Sequence, residues 1–238
     1  MPITFDRVMQ LVGHAARLEI ELMGIVHEAT MRVWVFAALI AIACGDRRGV
    51  RDVNHDGRIV VSCLGDSNTE THWPRPGTRR WCELASERAP EWVFTNHAIG
   101  GTTVTDPATP STWAMPQLER ALAEDQPDAV VFAFGTNDVR AGRSTEDIVA
   151  AYRAAVDRTN RAGVLAFVAL TPPIYSPQPD HREAIEVLNA ALRHAFPPAR
   201  IVDFWTGMTP TDYDPDGLHA NDAGQRKRAD AALRALRG

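Results

Sequence analysis

The sequence predicts a doubly wound α/β domain over about residues 58–238, with a parallel β-sheet covered by helices on both faces. Short apolar runs recur from residue 59 onward, and segments with helical spacing lie between them. The apolar runs are nearly continuous rather than alternating, which is typical of strands buried on both faces of a parallel sheet. A chain of 238 residues is also long enough to form one substantial hydrophobic core.

Five apolar runs are predicted to be strands. They are, in chain order, "IVVSCL" (59–64), "WVFTNHA" (92–98), "AVVFAF" (129–134), "VLAFVAL" (164–170) and "RIVDF" (200–204). Helices are predicted where apolar residues recur at helical spacing, which is the case over residues 81–88, 115–123, 145–162, 182–195 and 222–236. Ligands of such sheets bind at the carboxyl ends of the strands, so the loops after the strands are the expected location of the chemistry.

The composition is that of an ordinary globular protein. Apolar residues make up 45% of the chain and charged residues 23%. The formal net charge of −5 provides no basic footprint, so nucleic acid is not an expected partner. The basic cluster "QRKR" (225–228) falls in the last predicted helix and is interpreted as a solvated helix face.

The three cysteines, Cys44, Cys63 and Cys82, lack the spacing of metal ligands. Cys63 falls in the first strand and Cys82 in the first helix, so both are predicted to be buried free thiols; a bridge between them stays open if the chain is exported. The segment "DVNHDG" (52–57) imitates the start of an EF-hand calcium loop, but its twelfth position is Cys63 instead of the required Glu. An Asx-rich turn is therefore expected there, and no metal site is predicted.

Residues 1–57 are predicted to be an N-terminal extension. Within it, "MRVWVFAALIAIAC" (31–44) is too short to cross a bilayer, which needs about 20 residues. Its arginine, apolar run and small residues fit a signal peptide, and "AIAC" is similar to a bacterial lipoprotein cleavage site with Cys44 as the lipidated N-terminus. Export to the periplasm, with membrane anchoring through Cys44, is then expected. The alternative is a buried element of a cytoplasmic protein.

The residues before this segment leave two interpretations open. Either Met31 is the real start, or residues 1–30 form an amphipathic helix. The helix is favoured by apolar residues at helical spacing, namely Val8, Leu11, Val12, Ala15, Leu18, Leu22 and Ile25. The polar, Gly-containing segment 45–57 is predicted to be a linker.

Small and polar residues follow four of the predicted strands. They are Ser67 in "GDSNT", Gly100 and Gly101 in "NHAIGGTTV", Asn137 in "GTNDVR", and Asp216 and His219 in "DPDGLHAND". Each block alone is a common turn or cap composition, and Ser67 by itself is equally well the N-cap of the next helix.

Together these residues supply the parts of a site for acyl transfer. Ser67 at a strand-to-helix turn is exposed for nucleophilic attack. His219 has the proton affinity of a general base, and Asp216, three residues earlier, can orient its imidazole. The candidates for the oxyanion hole are the backbone N–H groups of Ser67 and Gly101 and the side-chain amide of Asn137. Glycine at position 101 lets the backbone approach the substrate without a Cβ in the way.

In this order and at these separations, the four blocks resemble those of the SGNH or GDSL hydrolase family, whose Ser, Gly, Asn and His would here be Ser67, Gly101, Asn137 and His219. The resemblance covers nearly everything after the linker. It implies a flavodoxin-like five-stranded sheet in three α/β/α layers, a Ser-His-Asp triad that forms an acyl-enzyme, carboxylic ester substrates, and no metal or organic cofactor. Asn68 replaces the Leu of the family name, at a position that faces away from the chemistry in the family.

A short-chain or carbohydrate O-acetyl ester is the predicted substrate, because no lid-sized insertion or long apolar loop indicates a triglyceride lipase. An O-acyltransferase, a lysophospholipase or a thioesterase could use the same site, and a binding module that kept the fold is the non-enzymatic alternative. The loops expected to line the cleft are "THWPRPGTRRW" (71–81), "PSTWAMP" (110–116) and "PPIYSPQPDH" (172–181). Four aromatic residues either stack on sugar rings or anchor local packing: Trp73, Trp113, Tyr175 and Tyr213. The sequence predicts no oligomeric state.

Overall fold

A five-stranded parallel sheet forms the centre of the domain. The computed structural model describes residues 49–70, 79–106, 113–175 and 181–238. The strands are β1 (Ile59–Gly65), β2 (Trp92–Asn96), β3 (Ala129–Ala133), β4 (Leu165–Ala169) and β5 (Ile201–Val202). All pairings are parallel, in the order β2-β1-β3-β4-β5. The strand order reverses between β1 and β3, and parallel sheets bind their ligands at such a switch point.

Six α-helices surround the sheet within the described ranges. They are α1 (Trp81–Arg88), α2 (Ala114–Glu124), α3 (Thr136–Arg140), α4 (Thr145–Arg161), α5 (His181–Ala195) and α6 (Asp222–Arg237). The side chains of Ser144 and Asn221 cap the starts of α4 and α6, because each accepts backbone N–H groups of the first turn. Short 3-10 helices at Pro198–Arg200 and Pro210–Asp212 flank β5.

The sheet separates two hydrophobic cores. α2, α4 and α5 cover one face, where Leu118, Tyr152 and Leu188 are buried. α1 and α6 cover the other face, around Trp81 and Leu236. Successive strand residues point to opposite faces, so β3 contributes side chains to both cores. This double burial is the reason that the strands are nearly continuous apolar runs in the sequence.

The predicted fold class is confirmed, with the flavodoxin-like strand order and helices on both faces. The five predicted strands and five predicted helices are present, and their ends differ from the prediction by no more than two residues. The helix α3 is absent from the prediction, because its five residues are too few to show a helical period.

Cys63 of β1 and Cys82 of α1 form a disulfide bond. The prediction of two free thiols is therefore wrong, and the bridge that the sequence left open is the correct alternative. Both residues belong to the core beneath α1 and α6. Three cysteines in a chain do not reveal a pair by themselves, because the approach of β1 to α1 arises only in the tertiary structure.

The basic cluster at 225–228 is only partly a solvated helix face, so that prediction is also wrong in part. Gln225 and Arg228 are 0% and 2% exposed. Residues three apart share one side of a helix, and this side of α6 faces the turn that carries Ser67. Both side chains donate hydrogen bonds to Asn68 in that turn.

Residues 49–57, from the predicted linker, are hydrogen-bonded to the domain. The N–H of Val50 donates to the carbonyl of Leu236 at 2.7 Å, and the N–H of Val53 donates to Asp128 Oδ1 at 2.6 Å. Within residues 52–57, side-chain oxygens accept N–H groups of the same segment, as an Asx-rich turn requires.

Several predictions concern residues that the structure does not describe. The amphipathic helix within residues 1–30, the signal segment 31–44 and its Cys44 all lie outside the described residues. They stay predictions, as does the domain boundary between residues 57 and 58. In the part of the chain that the structure describes, none of the helices combines the length and apolarity needed to span a bilayer.

Candidate active site

Ser67, His219 and Asp216 are hydrogen-bonded in series at the carboxyl edge of the sheet. Ser67 follows β1, and the other two residues lie in the loop before α6. Ser67 Oγ lies 2.9 Å from His219 Nε2, and His219 Nδ1 lies 2.6 Å from Asp216 Oδ2. The folded chain thus brings together the hydroxyl, imidazole and carboxylate that the sequence singles out, in the order that acyl transfer by a serine uses.

The carboxylate of Asp216 is held by local hydrogen bonds. Its Oδ1 accepts the backbone N–H groups of Leu218 at 2.9 Å and His219 at 3.0 Å. Burial by itself would raise the pKa of Asp216, but the hydrogen bonds from His219 and Leu218 outweigh it and lower the pKa below its ordinary value. Asp216 is therefore ionised at neutral pH and favours the proton of His219 on Nδ1, which leaves Nε2 to accept a proton from Ser67.

The turn that carries Ser67 is held from within by Asp66. Its backbone oxygen accepts the N–H groups of Thr69 and Glu70, and its side chain accepts that of Asn68. Asp66 is only 2% exposed. Burial raises the pKa of Asp66 to about 6, against the opposing effects of the Asn68 N–H and the nearby positive charge on α6.

Two adjacent glycines follow β2, and their surroundings differ. The N–H of Gly100 donates to Glu70 Oε2 at 2.9 Å, so this N–H is already occupied. A Cβ at Gly100 would lie 2.6 Å from that oxygen and 3.6 Å from the Cβ of Ser67. Gly101 has φ +77°, a conformation that favours glycine, and apart from its chain neighbours no atom of the described residues lies within 4 Å of the place where its Cβ would be. The geometry therefore favours Gly101 over Gly100 as the backbone donor beside Ser67.

Helix α3 connects Asn137 to the loop that carries the two glycines. Asn137 Nδ2 donates to the carbonyl of Thr102 at 3.0 Å, and a side-chain amide has a second hydrogen to offer. The neighbouring Asp138 accepts the N–H groups of Val104 and Thr105, both at 3.0 Å. These bonds fix the position of the loop relative to α3.

Sequence reasoning missed Glu70 and Asp138, two carboxylates that build this site. Both lie inside the sequence blocks already singled out, Glu70 three residues after Ser67 and Asp138 directly after Asn137. Their closeness in the sequence to Ser67 and Asn137 was the one signal that could have indicated a part in the site. A carboxylate in a turn is too common to be noticed without knowledge of its partners, which come from another strand end.

The aromatic residues considered for the cleft have different environments. The ring of Tyr213 is buried and lies 5.2 Å from the ring of Tyr175. The hydroxyl of Tyr175 donates to the carbonyl of Met208 at 2.8 Å. Tyr175 and Tyr213 therefore anchor local packing, and Trp113 precedes the first turn of α2. Trp73, like parts of all three loops predicted to line the cleft, lies outside the described residues.

No metal centre accompanies these residues in the portions of the chain that the structure covers. There, no group of three or more His, Cys, Asp or Glu side chains is arranged to hold a metal ion.

Comparison with known proteins identifies the family. The model of the GDSL-like lipase/acylhydrolase family matches residues 63–227, which is more than half of the 238-residue chain. The chain belongs to the GDSL-like lipase/acylhydrolase family. It is therefore a GDSL-family hydrolase, an enzyme of the class that cleaves carboxylic esters. The matched range includes every residue of the candidate site.

Solved structures of GDSL proteins and esterases share the fold. A lipolytic G-D-S-L family protein from Veillonella parvula has a TM-score of 0.60 and 21% identity, over 74% of this chain and 97% of its own. A carbohydrate esterase family 3 protein from Talaromyces cellulolyticus has a TM-score of 0.60 and 23% identity, over 75% and 96%. The psychrotrophic esterase EstA from Pseudoalteromonas sp. has a TM-score of 0.59 and 18% identity, over 74% and 96%. No curated protein sequence matches this chain.

Proposed function

We propose that the protein is a serine esterase in which Ser67 is the nucleophile, His219 the general base and Asp216 the residue that orients the imidazole. The observation that carries the proposal is the series of hydrogen bonds of 2.9 Å and 2.6 Å that links the three side chains. A serine hydroxyl needs such a base at neutral pH, and the base needs a fixed tautomer.

The reaction proceeds in two acyl-transfer steps. Ser67 Oγ attacks the ester carbonyl carbon while its proton passes to His219 Nε2. The tetrahedral intermediate collapses and expels the alcohol, which takes that proton from His219. Water then attacks the acyl-serine, gives a proton to His219, and the second intermediate collapses to the free acid as the proton returns to Ser67 Oγ. Asp216 stays ionised throughout and stabilises the imidazolium.

The oxyanion of each intermediate is assigned to three donors. They are the backbone N–H groups of Ser67 and Gly101 and the side-chain amide of Asn137. The bond from Gly100 to Glu70 and the bond from Asn137 to Thr102 support this assignment, because they position the glycine loop and the amide before substrate binds. Donors fixed in advance stabilise the developing charge without reorganisation, and each contributes about 3 kcal/mol to lowering the barrier.

We infer that the substrates are short-chain esters or O-acetyl groups of carbohydrates. The likeness to a carbohydrate esterase supports this class. The enzyme should hydrolyse p-nitrophenyl acetate and acetylated oligosaccharides faster than long-chain esters. Ser67→Ala should reduce turnover by about a thousandfold or more. If the folded wild type did not turn over these esters, or if Ser67→Ala turned them over at the wild-type rate, the proposal would be contradicted. If the acyl group passed to added alcohols and no free acid formed, the protein would be an acyltransferase.

We also infer that the protein is exported. The Cys63–Cys82 disulfide supports export, because such bonds persist in oxidising compartments such as the periplasm. The residues before Cys44 would then be removed, and Cys44 would become the lipidated N-terminus that anchors the protein in the membrane. Mass spectrometry of the mature protein should find a lipidated Cys44 at the N-terminus. An unmodified chain that retains residues 31–44 would overturn this inference.

A further inference from the structure

A second hydrogen bond links the two turns that carry Ser67 and His219. The side-chain oxygen Oδ1 of Asn68 accepts the backbone N–H of Ala220 at 3.2 Å. Asn68 follows Ser67 directly and Ala220 follows His219 directly. The bond therefore runs beside the Ser67–His219 bond, one residue further along each turn, and both members are buried.

Helix α6 supports this bond from behind. Arg228 Nη1 donates to the same Oδ1 atom of Asn68 at 3.1 Å. Gln225 Nε2 donates to the backbone oxygen of Asn68 at 3.2 Å and to that of Ala220 at 3.4 Å. One face of α6 thus holds the turn of the nucleophile and the turn of the base together.

The buried cation makes this arrangement dependent on an acceptor at position 68. Arg228 is 2% exposed, and its Nε and Nη2 atoms find no hydrogen-bond partner among the residues that the structure describes. A buried charge is costly unless it is hydrogen-bonded, so the oxygen atoms of Asn68 matter to Arg228 as much as to Ala220. Leucine, which gives the GDSL family its name at this position, offers no such oxygen on its side chain.

We propose that Asn68 is a positioning residue, whose side chain sets the separation of the Ser67 and His219 turns. The proposal rests on the proposed function, since it assigns Asn68 a role in the reaction of Ser67. Misplacing a reacting group by about 1 Å can lower a rate by about a hundredfold, so a bond that fixes two turns against each other has a direct effect on turnover.

The test compares Asn68→Leu, Asn68→Ala and Asn68→Asp with the wild type. Leucine and alanine remove the acceptor, so kcat for p-nitrophenyl acetate should fall by about tenfold or more while KM stays within about twofold. Aspartate keeps the acceptor and pairs with Arg228, so it should restore kcat to within about threefold of wild type. A structural role alone would not produce this split between kcat and KM.

Asp128→Ala is a matched control. Asp128 is also fully buried, and its side chain also ties two chain segments together by accepting the N–H groups of Val53 and Val60. Asp128 directly precedes β3, so it lies at the amino edge of the sheet, whereas Ser67 lies at the carboxyl edge. The control should lose stability without a change in kcat. If Asn68→Leu does not fold, Asn68→Ala carries the comparison.

A crystal structure of Asn68→Ala separates failure of this inference from failure of the esterase proposal. The distance from Ser67 Oγ to His219 Nε2 should exceed about 3.5 Å, beyond hydrogen-bond range, whether or not the wild type hydrolyses the ester tested. An unchanged distance, wild-type kcat in Asn68→Leu, or a kcat of Asn68→Asp as low as that of Asn68→Leu would overturn the positioning role.

Discussion

Adjacent residues of the same type take different parts in this site, as the two glycines after β2 illustrate. The N–H of Gly100 donates to the carboxylate of Glu70, whereas Gly101 has φ +77° and, within the described parts of the chain, no atom beyond its chain neighbours within 4 Å of the place where its Cβ would be. A Cβ at Gly100 would displace the Glu70 carboxylate oxygen, 2.6 Å away, and so disturb the bond that holds this glycine. At Gly101 the requirement is the backbone conformation itself.

Gly101→Ala should lower kcat by about tenfold or more, because alanine resists the positive φ and shifts the N–H away from the oxyanion. Gly163→Ala is the matched control, since Gly163 has φ +78°, equally open surroundings and a position before β4, away from the site. Each variant should lose about 1 kcal/mol of unfolding free energy. Steady-state kinetics measure kcat, and urea unfolding measures the loss of stability. Equal kcat values for the two variants would show that Gly101 is not a donor of the proposed oxyanion hole.

Asp66→Asn should change the pH dependence of stability. Burial raises the pKa of Asp66 from its ordinary 3.8 to about 6 in the folded protein. Between these two pKa values the folded state binds more protons than the unfolded state. The contribution of Asp66 to stability therefore falls as the pH rises from 3.8 to about 6, and it is constant at higher pH. Asparagine does not titrate, so the unfolding free energy of the variant minus that of wild type should increase by about 2 kcal/mol between about pH 4 and pH 7.

Urea unfolding of both proteins at the two pH values measures this difference. The titrations of all other groups are shared by the two proteins and cancel. A difference that is the same at both pH values would show that the Asp66 carboxyl has an ordinary pKa in the folded state.

Strands and long helices were predictable because burial imposes a period on the sequence. β3 is apolar throughout since it faces a core on each side, and α4 repeats its apolar residues at helical spacing. The five residues of α3 are too few for such a pattern, yet they place Asn137 and Asp138. The buried side of α6 was also missed, because Gln225 and Arg228 are polar and polar residues on a helix usually face water.

The site was predictable to the extent that its residues lie at strand ends. Ser67, Asn137 and His219 could be placed together because parallel strands end at one edge of the sheet. The contacts between loops could not be predicted in this way. The bonds from Gly100 to Glu70 and from Ala220 to Asn68 each join segments far apart in the chain, and single residues in turns carry no pattern.

The disulfide between β1 and α1 should contribute measurably to stability. It closes a loop with a sequence separation of 19, and in the chain-entropy model such a crosslink stabilises a fold by about 3 kcal/mol. Cys63→Ala, Cys82→Ala and the double variant should all lose a similar amount of unfolding free energy, because the first substitution already removes the bridge. Urea unfolding of the set under non-reducing conditions checks this.

Additive losses in the double variant would indicate two independent thiols instead. Alkylation in denaturant provides a second check: Cys63 and Cys82 should be protected from iodoacetamide before reduction and modified after it.

The domain as a whole brings together, at one edge of the sheet, the loops that follow β1, β2, β3 and β5. Side chains of α3 and α6 hold these loops in place through hydrogen bonds. The switch point between β1 and β3 places Ser67 at the end of β1, between the loop after β2 that carries Gly100 and Gly101 and the residue Asn137 that follows β3. Membership of the GDSL-like family over residues 63–227 agrees with this arrangement. The role of Ser67 is the point on which the whole account depends.

That role is tested most directly by labelling with an organophosphonate ester probe, followed by peptide mass spectrometry. The probe mimics the tetrahedral intermediate and reacts only with a serine that a base activates. A single adduct on Ser67 is expected in the wild type, none in Ser67→Ala, and a much slower one in His219→Ala. A folded wild-type protein that carries no adduct, or carries it on another residue, would contradict the account.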